Sequence, residues 1–573
     1  MLKENWVVAA KRADFAAIGQ RFSIDPVIAR LIRNRDVQGE EDIRKYLQGT
    51  LEDLHEPELM KDMRKGAELI LSYINAEKKI RIIGDYDIDG VMSSYILLRG
   101  FTRLGAKVDV RIPDRIQDGY GLNGNLVKQA HEEGAELMVT CDNGISALEQ
   151  IALAKELGMA VVITDHHEVP FEDTSEGERY FRIPPADAVI NPKQEDCGYP
   201  FKGICGAVVA WKLVCCLYDL AGIPSEEKYE FLEYAGFATI GDVMELKEEN
   251  RIIVKEGLKQ LRHTKNLGMQ QLILQNDLDP ETISTYHVGF VLGPCMNASG
   301  RLNTAERALQ MLCARDVETA SRLAGDLKAL NDSRKEMTRQ GEEEAIRMVE
   351  QSSLRDDRVL VVYMPDCHES LAGIIAGRLK EHFGKPSFVL TKSEHGVKGS
   401  GRSIESYSMY EELIRCGDLL SKFGGHPMAA GLSLEEKNVP VFRKRINELC
   451  TLTEEDLVKK VTIDVPMPVS YIHMDLVQQI QLLEPFGTGN PRPVFAERNL
   501  KVRNIRVMGA ARRAARLQVQ NDQGAVMQAI YFGDADAFAD YCRMHETITV
   551  LYYPEINRFM GRETLQIKIT GYR

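Results

Sequence analysis

The sequence Ile80-Arg81-Ile82-Ile83-Gly84-Asp85-Tyr86-Asp87-Ile88-Asp89-Gly90 places a short apolar run directly before three aspartates. The apolar run predicts a buried strand. Because alternate residues of an extended segment point the same way, Asp85, Asp87 and Asp89 are expected to face one point. Converging carboxylates repel one another unless a cation lies between them, which indicates a divalent metal site. The alternative is an acidic turn with solvated aspartates, and this stretch alone does not decide between the two.

The sequence around this stretch predicts alternating strands and helices as far as about residue 190. The predicted strands cover residues 80–84, 107–112, 136–140, 160–164 and 187–190. Such alternation is typical of a doubly wound parallel sheet. Sheets of this kind bind their ligands at the carboxyl ends of the strands.

Two further predicted strands end in polar residues that can bind metals. Asp142-Asn143-Gly144 follows one strand and Asp165-His166-His167 follows another, while Asp242 lies in apolar company further along. A lone aspartate in such a place is usually a helix cap, and Asp242 alone would be interpreted that way. Adjacent histidines fit a satisfied core poorly, so the combined set favours a metal site.

Composition limits the classes of protein to consider. A chain of 573 residues predicts three or four domains, and its 44% hydrophobic and 27% charged residues are typical of a globular protein. No apolar run approaches the roughly 20 residues that span a bilayer, and the start lacks a signal-peptide pattern. Eleven cysteines without a CxxC pair predict reduced thiols and a cytoplasmic location. The net charge of −13 argues against nonspecific coating of nucleic acid.

The rest of the chain divides into further units. Residues 1–75 are predicted to be helical, and residues 317–350 to form one long helix capped by Asp316. A second α/β unit is expected over residues 356–450. It contains two glycine-rich stretches, Gly399 to Ser403 and Gly424 to His426, which are predicted to be phosphate-binding loops. The alternative is that both are ordinary turns.

Residues 459–573 predict an all-β barrel. This part carries 15 lysines and arginines against 11 acidic residues, although the whole chain is acidic. Its arginines include Arg503, Arg506, Arg512, Arg513 and Arg516, with Tyr531 and Phe532 nearby. Basic side chains with aromatic rings on a barrel suit single-stranded nucleic acid, and the alternative is a solvated arginine-rich hairpin.

Together these motifs resemble the DHH phosphoesterase superfamily and, within it, the RecJ family. The first motif, residues 84–90, has the RecJ form, and Met296-Asn297-Ala298-Ser299-Gly300-Arg301-Leu302 is similar to the motif after the catalytic core. Residues 424–431 resemble the DHHA1 domain, and residues 485–491 resemble the segment that precedes the C-terminal OB fold. The resemblance runs from about residue 20 to the end.

The resemblance implies a fold and an activity. The expected fold is two α/β domains joined by a long helix, a doubly wound DHH domain and a DHHA1 domain, followed by an all-β OB-fold barrel. The expected limits are 1–75 for a helical segment, 76–315 for the DHH domain, 316–352 for the helix, 353–455 for DHHA1 and 456–573 for the OB fold. The expected activity is a 5′→3′ exonuclease specific for single-stranded DNA, which releases 5′-mononucleotides by two-metal catalysis in DNA repair and recombination.

The resemblance also assigns residues. The metal ligands would be Asp87, Asp89, Asp142, His166 and Asp242, with Asp142 bridging two ions. His167 would face the scissile phosphate, Asp165 would orient the histidines, and Asp85 would complete the catalytic set. The DNA and phosphate contacts would be Arg115, Arg301, Ser400, Arg402, His426, Arg512, Arg513 and Arg516. The ions would be two Mn²⁺, with Mg²⁺ as the alternative. The partners would be single-stranded DNA, a helicase and a single-stranded-DNA-binding protein. The enzyme would be a monomer that does not contact membranes.

The sequence departs from the family pattern at three positions. Ile83 stands where many members have histidine, Cys295 where arginine is usual, and Cys367 where an aromatic residue is common. Two other functions stay open. One is a phosphodiesterase for short oligoribonucleotides or cyclic dinucleotides, which would not need the basic barrel, and the other is a non-catalytic DNA-binding scaffold, which would not need the intact ligand set.

Overall fold

The structure, a computed structural model, describes residues 4–113, 121–173, 179–302, 306–393, 396–559 and 561–573. The chain forms two compact units. One contains residues 8–328 and 462–573, and the other contains residues 329–461 with the start of the chain. Among the described residues, no helix is both long and apolar enough to cross a membrane.

The first 75 residues are mainly helical, as predicted, but they begin with a strand. The strand β1 (Glu4–Val8) pairs with residues 459–463. The helices that follow are α1 (Phe15–Phe22), α2 (Pro26–Asn34), α3 (Glu40–Gln48) and α4 (Met63–Asn75). Helix α2 starts where the sequence indicated, since the Asp25 side chain accepts a hydrogen bond from the Val27 amide and Pro26 is the first helical residue.

A five-stranded parallel sheet forms the centre of the first unit, with strand limits within about one residue of those predicted. The elements are β2 (Lys79–Ile83), α5 (Ile88–Arg103), β3 (Lys107–Arg111), α6 (Gly124–Glu132), β4 (Leu137–Cys141), α7 (Leu148–Glu156), β5 (Ala160–Thr164), the separate hairpin β6 (Phe171–Asp173) and β7 (Arg179–Phe181), and β8 (Ala188–Ile190). The strand order is β3-β2-β4-β5-β8. The winding direction therefore reverses between β2 and β4, and such switch points open a crevice at the carboxyl edge.

Helices cover this sheet and continue to residue 312. They are α8 (Gly206–Ala221), α9 (Ser225–Lys228), α10 (Leu232–Gly241), α11 (Glu248–Arg262), α12 (Leu267–Gln275), α13 (Thr285–His287), a π-helix (Val288–Leu292), α14 (Gly293–Leu302) and α15 (Glu306–Leu312). Helix α8 is apolar on most faces and is buried over most of its length, as expected for a core helix.

The long helix α16 (Val317–Glu350) has the predicted limits. Asp316 caps it by accepting a hydrogen bond from the Thr319 amide at 2.7 Å. Helix α16 joins the two units.

The second unit is an α/β sheet with the strand order β12-β13-β11-β10-β9. Its elements are β9 (Leu360–Tyr363), α17 (Glu369–Phe383), β10 (Ser387–Ser393), β11 (Gly396–Arg402), α18 (Met409–Ile414), β12 (Lys422–His426), β13 (Ala429–Leu434), α19 (Val439–Leu449) and β14 (Lys459–Ile463), the partner of β1. The two glycine-rich stretches were wrongly predicted as loops, because both are strands. A side chain at Gly399 would lie 2.2 Å from Leu390 and one at Gly401 would lie 2.5 Å from Met409, so packing requires glycine there.

The C-terminal part is a closed barrel. Its elements are β15 (Val465–Pro466), α20 (Met474–Gln481), β16 (Phe495–Met508), β17 (Ala514–Gln520), β18 (Val526–Phe532), α21 (Ala535–Met544), β19 (Ile548–Phe559) and β20 (Arg562–Tyr572). Strand β16 pairs with both β17 and β19, which closes the sheet. The all-β prediction missed two helices, although the predicted fold class of two α/β domains, a long helix and an OB barrel is confirmed.

Candidate metal centre

Three strands of the parallel sheet deliver aspartates to its switch point. Strand β2 ends before Asp85, β4 ends before Asp142, and β5 ends before Asp165. Each of the three side chains is buried. Backbone hydrogen bonds fix the positions of two of these residues. The Asp142 amide donates to the Thr164 carbonyl and the Asp165 amide donates to the Ile190 carbonyl, each at 3.0 Å.

The first motif was predicted to be extended, and this prediction is wrong. Asp87 is the N-cap of helix α5, and its carboxylate accepts hydrogen bonds from the amides of Asp89 at 3.0 Å and Gly90 at 3.1 Å. Asp89 therefore lies in the first helical turn. The carboxylates still converge, because a tight turn between strand and helix replaces the alternation of a strand.

The N-terminus of helix α8 supports two of these carboxylates. Asp89 accepts hydrogen bonds from the amides of Gly206 at 2.6 Å and Ala207 at 2.8 Å. A side chain at Gly206 would lie 2.8 Å from Cβ of Asp142. The positive end of the helix dipole stabilises negative charge at this point. Gly206 was not among the residues predicted from the sequence, and its signal is a glycine at the start of an apolar helix.

His166 lies among the aspartates. Its Nε2 atom is 3.1 Å from Oδ1 of Asp142, 3.5 Å from Oδ2 of Asp89 and 3.8 Å from Oδ2 of Asp242. Asp242 reaches the centre from the C-terminal end of helix α10. The imidazole of His166 therefore lies close to three carboxylates from different elements. Asp142 follows strand β4, Asp89 lies at the start of helix α5, and Asp242 lies at the end of helix α10.

Asp165 holds the second histidine. One oxygen of Asp165 accepts hydrogen bonds from the amides of His166 at 2.7 Å and His167 at 3.1 Å and is 2.8 Å from Nδ1 of the His167 ring. Its other oxygen accepts from the Ile145 amide at 2.9 Å. Because both oxygens are used in this way, Asp165 is suited to orienting His167 rather than to binding an ion.

The Met296–Leu302 motif packs against the first motif. The Ile88 amide donates to Oδ1 of Asn297 at 2.8 Å, and Gly300 lies so close to the Tyr86 carbonyl oxygen that a side chain there would approach it to 2.4 Å. Asn297 belongs to a motif that the sequence indicated, but no role was predicted for it. The structure shows that Asn297 fixes the turn that carries Asp85, Asp87 and Asp89.

Burial shifts the acid–base equilibria of the centre. Burial and the charge of Asp87 raise the pKa of Asp85 to about 7, and burial and Asp89 raise the pKa of Asp242 to about 8. The pKa values of Asp87 and Asp142 are also raised, by burial first and then by Asp89. These four aspartates are therefore difficult to ionise together without a cation.

The histidines are shifted in opposite directions. Burial lowers the pKa of His166 below its ordinary value. Burial is the largest single influence on His167 and acts in the same direction. The hydrogen bond to Asp165 and the charges of Asp165, Asp89 and Asp242 together outweigh burial and raise the pKa of His167 to about 9. Burial would raise the pKa of Asp165, but the hydrogen bonds to His167 and to the Ile145 amide, together with the charge of His167, leave the pKa lowered.

The donor set fits divalent metal ions. Three groups each have their ligand atoms within 4.8 Å of one another: Asp85, Asp87 and Asp142; Asp89, His166 and Asp242; and Asp142, His166 and His167. Both carboxylate oxygens of Asp85, one of Asp142 and Nδ1 of His166 are buried without a hydrogen-bond partner among the described residues. Buried polar atoms need partners, and carboxylates with imidazoles are ligands of Mn²⁺ and, where oxygens dominate, Mg²⁺.

Comparisons with known proteins agree with this site. Three family models match the chain: DHH family, N-terminal domain, at residues 79–241; DHHA1 domain at 356–452; and RecJ OB domain at 463–571. The single-stranded-DNA-specific exonuclease RecJ of Haemophilus influenzae is 31% identical over 577 residues, covering 96% of this chain and 97% of that protein. Escherichia coli RecJ is 32% identical over 568 residues, covering 95% of each.

The chain belongs to the RecJ family. Bacillus subtilis RecJ is 37% identical over 525 residues, and the match covers 91% of this chain but 65% of that longer protein. The crystal structure of RecJ in complex with Mn²⁺ from Thermus thermophilus superposes with a TM-score of 0.83 at 26% identity, covering all of this chain and 80% of that one. The corresponding complex with Mg²⁺ gives a TM-score of 0.78 at 25% identity, covering all of this chain and 78% of that one.

Several positions predicted from the RecJ resemblance lie elsewhere. Arg115 is outside the described residues, as is the side chain of Arg301, whose backbone lies in α14. Ser400, Arg402 and His426 belong to the second unit. The barrel contributes Arg512, Arg513 and Arg516, of which Arg512 forms an ion pair with Asp536.

The three departures from the RecJ pattern have different surroundings. Ile83 is fully buried in the apolar cluster formed with helices α6 and α7. Cys295 is buried in α14, where its thiol donates to the Val291 carbonyl at 3.2 Å. Cys367 is partly buried and precedes His368, the N-cap of α17.

Proposed function

We propose that this chain is a metal-dependent 5′→3′ exonuclease that hydrolyses single-stranded DNA and releases 5′-mononucleotides, in DNA repair and recombination. The observation that carries the proposal is the set of five aspartates and two histidines at the switch point of the sheet. Membership in the RecJ family, whose curated members are named for cleavage of single-stranded DNA, supports it.

We assign two divalent ions to the centre, with Mn²⁺ preferred and Mg²⁺ as the alternative. Asp87 and Asp85 would hold one ion, Asp89, His166 and Asp242 the other, and Asp142 both. When bound, two such ions activate a water molecule and stabilise the leaving oxygen of an in-line displacement. The carboxylates supply the negative charge that balances the ions.

His167 and Asp165 act on the phosphate rather than on the ions. With a pKa of about 9, the His167 imidazole is positively charged at neutral pH. It can therefore hold a non-bridging oxygen of the scissile phosphate. Asp165 keeps the ring in place through the contact of 2.8 Å with Nδ1.

The second unit offers an anion site suited to a terminal phosphate. Ser400 and Arg402 alternate with inward glycines on β11, so their side chains share one face of the sheet. The guanidinium of Arg402 lies against Gly373 of α17, where a side chain would approach it to 3.0 Å. Among the described residues, no carboxylate lies within ion-pair distance of Arg402, and burial acts alone to lower its pKa. A half-buried cation of this kind favours a bound anion.

His426 falls in the same row of the sheet. The register pairs Arg402 with Ala429 and Ala429 with His426, and residues directly opposite on adjacent strands share a face. This row gives the proposed 5′-phosphate site an imidazole in addition to the guanidinium and the Ser400 hydroxyl.

The barrel supplies a basic surface for the strand. Arg506 and Arg516 lie directly opposite each other on β16 and β17, both exposed. Like charges in this arrangement repel, so an anionic ligand is favoured between them. Such a surface suits a single strand and is not required by a dinucleotide phosphodiesterase.

Further proposals concern the partners, the oligomeric state, the location and the domain limits of the protein. A helicase and a single-stranded-DNA-binding protein as partners, a monomeric enzyme and a cytoplasmic location are proposals from the resemblance and from the cysteine pattern. The five domain limits given from the sequence are likewise proposals.

The test is digestion of single strands labelled at the 5′ or the 3′ end, with Mn²⁺ or Mg²⁺. The proposal predicts that the 5′ label appears at once as a mononucleotide, while the 3′ label passes through a ladder of shortening strands. The reverse pattern would contradict the polarity. Cleavage of only very short oligoribonucleotides would favour the phosphodiesterase, and binding without cleavage would favour the scaffold.

A further inference from the structure

An exposed pair of aromatic rings lies on the first unit between α12 and α14. Tyr286 is 61% exposed and Phe290 is 69% exposed, although both side chains are large and apolar. Their ring centroids are 5.2 Å apart with an interplanar angle of 28°, so the rings stack on each other. Two stacked rings open to solvent present a face on which a further flat ring can stack.

The backbone under these rings is firmly seated. Phe290 lies in the π-helix, an element that is rare and is found often at functional sites. Val288 and Leu292 of the same element are fully buried. At its start, the ring Nδ1 of His287 accepts a hydrogen bond from the Ser284 amide at 3.1 Å. The exposed rings are therefore held in place and do not belong to a loose loop.

The same segment packs against the two segments that carry the proposed metal ligands. The position of a side chain at Gly289 is 3.7 Å from Ile240, two residues before Asp242. The corresponding position at Gly293 is 3.2 Å from Ile88, which lies between Asp87 and Asp89. The ring pair is thus adjacent in structure to the metal centre.

On its other side the segment touches the residues that lead into the barrel. The Thr285 hydroxyl donates to the Phe486 carbonyl at 2.7 Å. The exposed guanidinium of Arg492 lies over the rings of Phe486, at 5.7 Å, and Tyr553, at 4.7 Å. The segment that carries the exposed rings therefore contacts both the segments with the proposed metal ligands and the residues beside Arg492.

We propose that Tyr286 and Phe290 form a base-stacking platform for single-stranded nucleic acid, with Arg492 contacting the backbone of the same strand. The proposal rests on the proposed function, which requires a strand to reach the metal centre. A nucleic acid fits better than an apolar protein segment because an exposed arginine, Arg492, lies over Phe486, whose carbonyl the neighbouring Thr285 contacts. Stacking on aromatic side chains tolerates every base, as a nonspecific exonuclease requires.

The test measures binding and not cleavage. Fluorescence anisotropy in EDTA compares a thymidine strand of about 20 nucleotides, longer than the roughly 4–16 nucleotides that one OB fold covers, with an abasic strand of equal length. The variants are Tyr286→Ala with Phe290→Ala, and Tyr286→Phe with Phe290→Tyr, which keeps both rings. The control is Tyr180→Ala, which removes a ring that is 65% exposed on the β6–β7 hairpin.

The platform predicts that the alanine pair weakens binding of the thymidine strand by about ten-fold or more and leaves binding of the abasic strand unchanged. The ring-keeping pair and Tyr180→Ala should bind both strands like the unmodified protein. Equal losses on both strands, or no loss beyond that of Tyr180→Ala, would overturn the proposal. Failure of the unmodified protein to cleave with Mn²⁺ would instead overturn the proposed function, since the binding comparison does not depend on cleavage.

Discussion

At the scale of single residues, the charge on each histidine of the centre follows from its neighbours. Asp165 uses both oxygens on the amides of Ile145, His166 and His167 and on the His167 ring. It remains ionised and keeps His167 protonated. His166, which is buried and not held by Asp165 through its ring, has a lowered pKa and is available as a neutral ligand. We therefore propose different roles for these two adjacent histidines.

The raised pKa values of Asp85 and Asp242 predict a pH-dependent stability in the absence of metal. In the unfolded chain both groups lose their protons near pH 4, whereas in the folded protein they keep them to about pH 7 and 8. Unfolding therefore releases protons between these values, and the free energy of unfolding should fall as the pH rises from about 4 to 8. Urea titrations in EDTA at pH 5 and pH 8.5 measure this fall.

The control for this prediction is Asp242→Asn, which removes one of the titrating groups. The fall in stability should be smaller in Asp242→Asn than in the unmodified protein, and addition of Mn²⁺ should stabilise the unmodified protein most at the higher pH. An equal fall in both proteins would show that these carboxyl groups do not carry the effect.

Arg402 is the residue at which the proposed recognition of the 5′ end is easiest to test. Charge-assisted hydrogen bonds contribute about 1.5–3 kcal/mol, so Arg402→Ala should reduce activity on 5′-phosphorylated strands by about 10- to 100-fold. Activity on 5′-hydroxyl strands should change much less, as measured at subsaturating concentration. Arg378→Ala, at an exposed arginine of the same unit that pairs with Glu381, serves as the control. Equal losses on the two substrates would make Arg402 a general backbone contact or a structural residue.

At the scale of elements, the apolar runs of the parallel sheet were sufficient to predict its strands. Lys79–Ile83 is apolar apart from Lys79 and Arg81, Ala160–Thr164 is apolar up to Thr164, and the structure places both strands where expected. The glycine-rich strands β11 and β12 were not predictable in this way. Only glycine fits at Gly399 and Gly401, because Leu390 and Met409 pack against these positions in the folded protein. A pattern of adjacent residues does not show such contacts.

The residues of the candidate site were predictable to different degrees. The sequence correctly predicted that the side chains of Asp87 and Asp89 converge. It did not predict the backbone geometry that brings them together, because the sequence does not show that Asp87 caps a helix. Asn297 could be noticed as part of a motif, yet its hydrogen bond to the Ile88 amide spans 209 residues. Long-range contacts of this kind depend on the packing of α14 against α5.

The segment between α20 and β16 joins the barrel to the N-terminal helices α2 and α3. Oδ1 of Asn490 accepts from Arg35 and from the Tyr46 hydroxyl, each at 2.8 Å, and its amide donates to the carbonyls of Leu483 and Pro485. The side chain is buried and uses both its oxygen and its nitrogen. It therefore ties helices α2 and α3 to the start of the barrel.

Asn490→Ala should destabilise the protein by about 2–4 kcal/mol, because Arg35 and Tyr46 would be left buried without their acceptor. Urea titration measures the loss. Asn504→Ala, at an exposed asparagine on β16, should stay within about 0.5 kcal/mol of the unmodified protein. Similar small effects of both substitutions would show that the Asn490 network does not join these elements.

At the scale of the whole molecule, the barrel does not have a core of its own. Ile28, Leu31 and Ile32 of α2 belong to the same buried cluster as Leu476 and Phe495. Removing residues 459–573 would therefore expose the apolar face of the N-terminal helices and test stability rather than DNA binding. The contribution of the barrel to binding is better tested by removing charges from its surface.

Arg506→Ala combined with Arg516→Ala should flatten the dependence of single-strand affinity on salt. Each lost phosphate contact changes the slope of log affinity against log salt by about 0.7, so the slope should become shallower by about 1.4. The control pair is Arg543→Ala with Arg558→Ala, which changes the net charge equally at arginines paired with Asp540 and Glu563. Identical slopes for the two pairs would mean that Arg506 and Arg516 do not contact the strand.

The central claim is that the switch point of the parallel sheet binds two catalytic ions that share Asp142. Its most direct test is a titration of Mn²⁺ into the unmodified protein and into Asp142→Ala, with bound ions counted by electron paramagnetic resonance and the fold checked by circular dichroism. The claim predicts two bound ions per chain in the unmodified protein, weakened binding at both sites in a folded Asp142→Ala, and no cleavage of single strands by that variant. Two ions bound with unchanged affinity by Asp142→Ala, or cleavage at the unmodified rate, would contradict it.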